Sequence, residues 1–114
     1  MKMVPAQMGA SAIEAEELLK AMANRHRLMI LCQLIGGERS VGELAELLQL
    51  RDSTVSQHLA LLRRDDLVAP RREGQTIWYS IASESVRLLV ETLYQIFCTP
   101  ERLCAAGLKP GKKR

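Results

Sequence analysis

Aromatic residues are scarce in this chain: one Trp, two Tyr and one Phe make up 4% of its 114 residues. Leu, Ala, Val, Ile and Met dominate the apolar set, which favours helices packed on helices over a large sheet. No apolar run reaches the roughly 18 residues of a membrane span. The first residues, "MKMVPAQMGAS", hold one Lys and no long apolar core, so they do not read as a signal peptide. A cytoplasmic protein with no membrane partner is therefore expected. Cysteine is sparse and odd in number: Cys32, Cys98 and Cys104. In a reducing compartment this argues against a disulfide framework and leaves buried thiols, metal ligands or redox chemistry. No Ser-His-acid set, phosphate loop or carboxylate cluster has catalytic spacing, so neither an enzyme nor a bound cofactor is expected. The formal charge of +3 and pI near 9.0 permit a nucleic-acid partner without demanding one.

What is present reads as one compact domain. Residues 1–10 read as a flexible lead-in, 11–98 as the domain and 99–114 as a basic tail. Ser11 and Glu14 fit a capping box, in which each side chain satisfies a backbone donor at a helix start. That first helix is expected to run to about Met22, with Ile13, Leu18, Leu19 and Met22 on its apolar side. Asn24 caps "RHRLMILCQLI", where Leu28, Leu31, Cys32 and Ile35 fall on one helical face, and Gly36-Gly37 ends it. Ser40 and Glu43 make a second capping box before "VGELAELL". The turn "QLRD" then leads to a fourth helix whose inner stripe is Val55, Leu59 and Leu62. Two short helices joined by a tight turn are a helix-turn-helix. β-branched and aromatic residues flank Glu73-Gly74, a hairpin signal, with Pro70 confining its strand to an edge. Ser83 caps a last helix ending near Cys98. The expected class is mainly α with a β-hairpin, an α+β winged helix-turn-helix of about five helices.

The fourth helix, "RDSTVSQHLALLRRDDLV", poses a question of propensity. Ser53, Thr54, Val55 and Ser56 are all weaker helix formers than Ala, Leu or Lys. If this helix lies in the DNA major groove, short polar side chains at its start let the backbone approach phosphates and bases closely. The Ser and Thr hydroxyls then reach phosphate or base, and Gln57 pairs bidentately with adenine. Arg51, Arg63 and Arg64 on this helix, and Arg71 and Arg72 in the hairpin, neutralise phosphate charge. His58 either contacts DNA or packs at the edge of the helix, and Asp65 and Asp66 end it. The plainer alternative is a polar surface helix of an all-α protein. A dimeric adaptor that binds no DNA is another, and steep salt dependence of binding to a DNA fragment separates it from a regulator.

"LLKAMANRHRLMILCQL", "VGELAELLQLRDSTVSQHLALLRRDDLV" and "RREGQTIWYSI" resemble the ArsR family of bacterial winged-helix repressors over about residues 15–98. The "VSQHL" core and the "LxxLxxxxLV" spacing carry the likeness. The resemblance implies a homodimer built on the first and last helices, with two reading helices on a palindromic double-stranded operator. The faces of Ile13–Met22 and Val86–Phe97 are consistent with that interface.

Family members usually sense metals. One family site uses Cys-x-Cys at the start of the third helix, where this chain has "SVGELAEL". Another uses Asp, two His and a carboxylate on the last helix, where this chain has Glu84 and Glu91 but no His. His26 and His58 lie elsewhere, so no metal is expected at either site. Cys32 in "ILCQL" and Cys98 in "LYQIFC" resemble the thiol pair of the sulfide- and persulfide-responsive, BigR-like branch. That resemblance implies redox sensing: reactive sulfur species bridge the pair and DNA is released. The plainer readings are a buried small hydrophobe for Cys32 and an ordinary helix-end residue for Cys98. Cys104 departs from the two-cysteine pattern, as an accessory or resolving thiol, a third ligand for arsenite or another soft ion, or a bystander. Nodulation-type regulators share "ANxxRLxIL" and "QTIxYS" without the thiol pair, so a thiol-independent repressor is a further alternative.

Overall fold

A computed structural model of the chain describes residues 5–98, with side chains from residue 8 onward. The elements run α1 (Pro5–Met22), α2 (Arg25–Ile35), β1 (Arg39–Ser40), α3 (Val41–Leu48), α4 (Asp52–Arg64), β2 (Val68–Glu73), β3 (Thr76–Ile81) and α5 (Glu84–Phe97). Five helices and a small antiparallel sheet make the expected winged helix. Among the described residues, no helix is long and apolar enough to cross a membrane.

The local signals at three helix starts act as the sequence implies. Asn24 Oδ1 accepts from the backbone N–H of His26 at 2.9 Å and of Arg27 at 3.2 Å. Ser40 Oγ accepts from Glu43 N–H, and the Glu43 carboxylate accepts from Ser40 N–H, both at 3.2 Å. Ser83 Oγ accepts from Val86 N–H at 3.3 Å. Each cap satisfies donors that the first turn of a helix leaves without intrahelical partners.

The start of α1 departs from expectation. Residues 5–10, read as lead-in, belong to the helix, and Ser11 sits inside it rather than capping it. Proline suits a first helical position, because its missing N–H is one the helix does not use there. The inner face also differs. Met22 is buried and Leu18 half-buried, whereas Ile13 and Leu19 remain 61% and 55% exposed.

In α2 the buried stripe is Ile30, Leu31 and Leu34, so the helix is turned relative to the expected Leu28–Leu31–Cys32–Ile35 face. Cys32 is exposed, and Leu28 and Ile35 are half-buried. In α4, Val55, Leu59 and Leu62 are all fully buried, as their spacing predicts. They meet Ile30, Leu31, Leu34, Leu44, Val68, Val86 and Val90 in one core that holds every helix but most of α1.

The sheet order is β1-β3-β2, so β2 is an edge strand and tolerates Pro70, which has no N–H to donate. The hairpin closes one residue later than the Glu73-Gly74 signal. Glu73 pairs with Thr76, leaving Gly74 and Gln75 as the loop. Gly74 has φ +61°, a left-handed conformation that a first loop residue without Cβ adopts at low cost. The two-residue strand β1 has no counterpart in the sequence reading. Arg39 and Ser40 pair with Tyr79 and Trp78 of β3, which seats the start of α3 against the wing.

Candidate DNA-reading head and thiol pair

The helix-turn-helix is built from α3 and α4. Gln49 closes α3 in the left-handed region at φ +55°, and Leu50 N–H bonds back to Ala45 O at 3.0 Å, turning the chain sharply. No side chain caps the start of α4. The N–H groups of its first turn therefore remain open to an acceptor such as a phosphate, at the positive end of the helix dipole. Ser53, Ser56 and Gln57 are exposed there, and Thr54 is half-buried. The buried Val55 and Leu59 lie on the opposite face, so the short polar residues are on the outer surface that packing leaves free.

The arginines divide into two groups. Arg51, Arg63 and Arg72 are exposed and form no ion pair among the described residues. Arg64 pairs with the neighbouring Asp65 at 3.4 Å, and Arg71 grips Glu38 through two hydrogen bonds of 2.9 and 2.7 Å. Asp65 terminates α4 and Asp66 follows at φ +62°. The sequence reading missed Glu38. It also missed a groove of about 450 Å³ between the start of α3, α4 and the wing, lined partly by Ser40, Ser56, Gln75, Thr76 and Tyr79. The polar "GQT" at the hairpin tip was the available signal for the wing's part in it.

His58 is half-buried and turned toward α2. Its ring meets His26 edge-on, centroids 5.6 Å apart at 71°, so packing is the role this geometry supports. Burial, then the positive Arg27, then His26 push the His58 imidazole below its ordinary pKa. Arg27 itself is held in place by a 2.8 Å bond from Nε to Ala21 O. A lowered imidazole pKa means the unfolded chain takes up a proton before the folded one does. Stability is then unaffected above the ordinary His value, falls as pH drops through it, and levels off below the folded value. The parent protein is expected to lose more thermal stability between about pH 7.5 and 5.5 than His58→Gln does. Parallel Tm-against-pH curves for the two proteins would remove His58 from this account.

Cys32 is exposed on α2 and Cys98 half-buried at the C-terminal cap of α5. The two helices pack together, and Arg87 of α5 donates to Ile35 O at the end of α2 at 3.4 Å. One face of Cys32 is open to solvent, while protein on its other flanks withholds enough water to raise its pKa. The nearby Cys98 raises it further, since two thiolates repel. Cys104 lies outside the described residues. Among the described residues no cluster of three or more His, Cys, Asp or Glu side chains is placed to hold a metal ion.

The pattern of the arsR family of bacterial regulatory proteins matches residues 24–69. The transcriptional activator HlyU of Vibrio cholerae is 49% identical over 81% of this chain and 85% of its own length. The biofilm growth-associated repressor of Agrobacterium fabrum is 46% identical over 82% of this chain and 80% of its own. Among solved structures, the repressor BigR from Xylella fastidiosa superposes with a TM-score of 0.78 at 38% identity, over 85% of this chain and 99% of that one. Identity at this level across four fifths or more of each relative extends well beyond the helix-turn-helix. The chain belongs to the arsR family, as a winged-helix DNA-binding transcriptional regulator of the BigR-like branch and not an enzyme.

Proposed function

We propose that this regulator is a homodimeric repressor that leaves a palindromic operator when Cys32 and Cys98 are oxidised by persulfide. The observation that carries the reading is the placement of one thiol on each of two packed helices, Cys32 on α2 and Cys98 at the end of α5. Relatives from Agrobacterium fabrum and Xylella fastidiosa carry repressor names, and HlyU of Vibrio cholerae has been solved in a form described as reduced. Dimerisation is supported by the apolar residues that α1 and α5 leave outside the core: Ile13, Leu19, Leu88, Tyr94 and Ile96 are all exposed. Burying them against a second copy removes that surface from water and pairs two α4 helices across a two-fold axis.

The chemistry balances with a persulfide as oxidant. One thiol, as thiolate, attacks the sulfane sulfur of the persulfide, giving a cysteine persulfide and the free thiol of the donor. The second protein thiol attacks the protein sulfur of that cysteine persulfide, forming the disulfide and expelling hydrogen sulfide. When both thiols are first persulfidated, their condensation leaves a trisulfide and one molecule of hydrogen sulfide. Either bridge ties α2 to α5, and a bridged dimer that fits the operator less well moves off DNA.

The test is intact mass after anaerobic exposure to an organic persulfide, with peptide mapping. A Cys32–Cys98 crosslink lacking two hydrogens, with or without added sulfur, supports the reading. An unchanged mass, or modification confined to Cys104, overturns the thiol switch and turns the search to arsenite and other soft ions. DNA recognition is tested separately. Gln57→Ala is expected to weaken operator binding by about 1–3 kcal/mol and to relax preference at one base position. Equal affinity of parent and variant for the operator removes Gln57 from the readout.

A further inference from the structure

We infer that Arg71 is a positioning residue, clamped by Glu38 to hold the wing, and that Arg72 alone carries the wing's charge to DNA. The assignment rests on DNA binding by the winged helix and reverses the plain reading of "PRRE" as two equivalent phosphate contacts.

The geometry separates the neighbours. Arg71 donates from Nε to Glu38 Oε2 at 2.9 Å and from Nη2 to Glu38 Oε1 at 2.7 Å, a two-pronged pairing in which a planar fork meets a planar carboxylate. A second carboxylate, Glu73, lies 3.8 Å from Nη1. Two carboxylates therefore flank its guanidinium, and a phosphate would have to compete with both for Arg71. Single-pronged surface ion pairs contribute little, but this bidentate one fixes a direction as well as a distance. Glu38 follows Gly37, whose φ of +138° sets the turn out of α2, and it precedes β1. The clamp thus fastens the edge strand β2 to the connection between α2 and α3. Its span of 33 residues explains why no local pattern announced it. Arg72, next along the strand, points to the opposite face, as successive strand residues do. It is exposed and forms no ion pair among the described residues.

Two measurements test this on the full chain. The first is the salt dependence of binding to a mixed-sequence DNA duplex. Each phosphate contact adds about 0.9 to the slope of log K against log salt. Arg72→Ala is expected to lower that slope by about 0.9 per protomer, while Arg71→Ala keeps the parent slope. A fall in slope for Arg71→Ala matching that of Arg72→Ala overturns the assignment. The second is amide hydrogen exchange of the free protein. Arg71→Ala and Glu38→Gln are expected to speed exchange across β2 and β3, with the charge swap of Glu38→Arg and Arg71→Glu slowing it again. Wing exchange unchanged in both single variants, or no recovery in the swap, overturns the clamp. A parent protein whose binding ignored salt would instead refute DNA binding itself, and the exchange result would still decide the clamp.

Discussion

Leu59→Ala is expected to destabilise the protein by about 2–5 kcal/mol, the cost of removing a fully buried leucine where the surroundings cannot collapse into the space. Leu59 has no exposed surface and lies between Val55 and Leu62 on the inner face of α4. That face is what holds the reading helix, because its N-terminal part carries the weak helix formers Ser53, Thr54 and Ser56 and its start has no side-chain cap. Loss of packing at Leu59 therefore acts on α4 first. Urea denaturation at one fixed protein concentration measures the effect, since the stability of a dimer depends on concentration. Leu59→Met keeps the volume and is expected to cost under about 1.5 kcal/mol. Ala60→Ser, on the exposed side one residue on, is expected to lie within about 0.5 kcal/mol of the parent. A Leu59→Ala cost below that of Leu59→Met would mean α4 is not anchored through this stripe.

Cys32→Ser and Cys98→Ser are each expected to keep operator affinity and to abolish release by persulfide completely, because a bridge needs both sulfurs. Neither residue belongs to the buried core, so neither substitution leaves a cavity. The pH dependence adds a second signature. Burial and Cys98 hold the Cys32 thiol above its ordinary pKa, which leaves little thiolate at neutral pH. The rate of Cys32 modification is then expected to keep climbing with pH, without a plateau at or below the ordinary thiol value. In Cys98→Ser the like-charge contribution is gone, and the Cys32 pKa moves back down while burial keeps it raised. Rates of alkylation against pH, read by mass spectrometry for parent and Cys98→Ser, check both statements. Normal release in either single serine variant would sink the pair mechanism, whatever the rates show.

Elements whose cause lies within a few residues were legible in the chain before any tertiary contact. Asn24, Ser40 with Glu43, and Ser83 satisfy donors two or three residues ahead, and so mark the starts of α2, α3 and α5. The period of Val55, Leu59 and Leu62 set the inner face of α4, and thereby which hydroxyls and which amide face outward. The same reasoning misled at Ser11, where a Ser-x-x-Glu pattern sits inside a helix that begins earlier, at Pro5. A capping pattern marks a start only where the chain before it is not already helical.

Long-range packing settled the rest. Two overlapping apolar stripes run along α2, and the neighbours chose Ile30, Leu31 and Leu34 for the core, leaving Cys32 at the surface. β1 exists because β3 offers it a partner about 40 residues further along the chain. His58 faces His26, and Arg71 is held by Glu38, through contacts between residues far apart in sequence. Local patterns report backbone donors, turns and periodicity. Which of two similar faces is buried, and which of two adjacent arginines keeps its charge free, depends on the elements that the fold brings beside them.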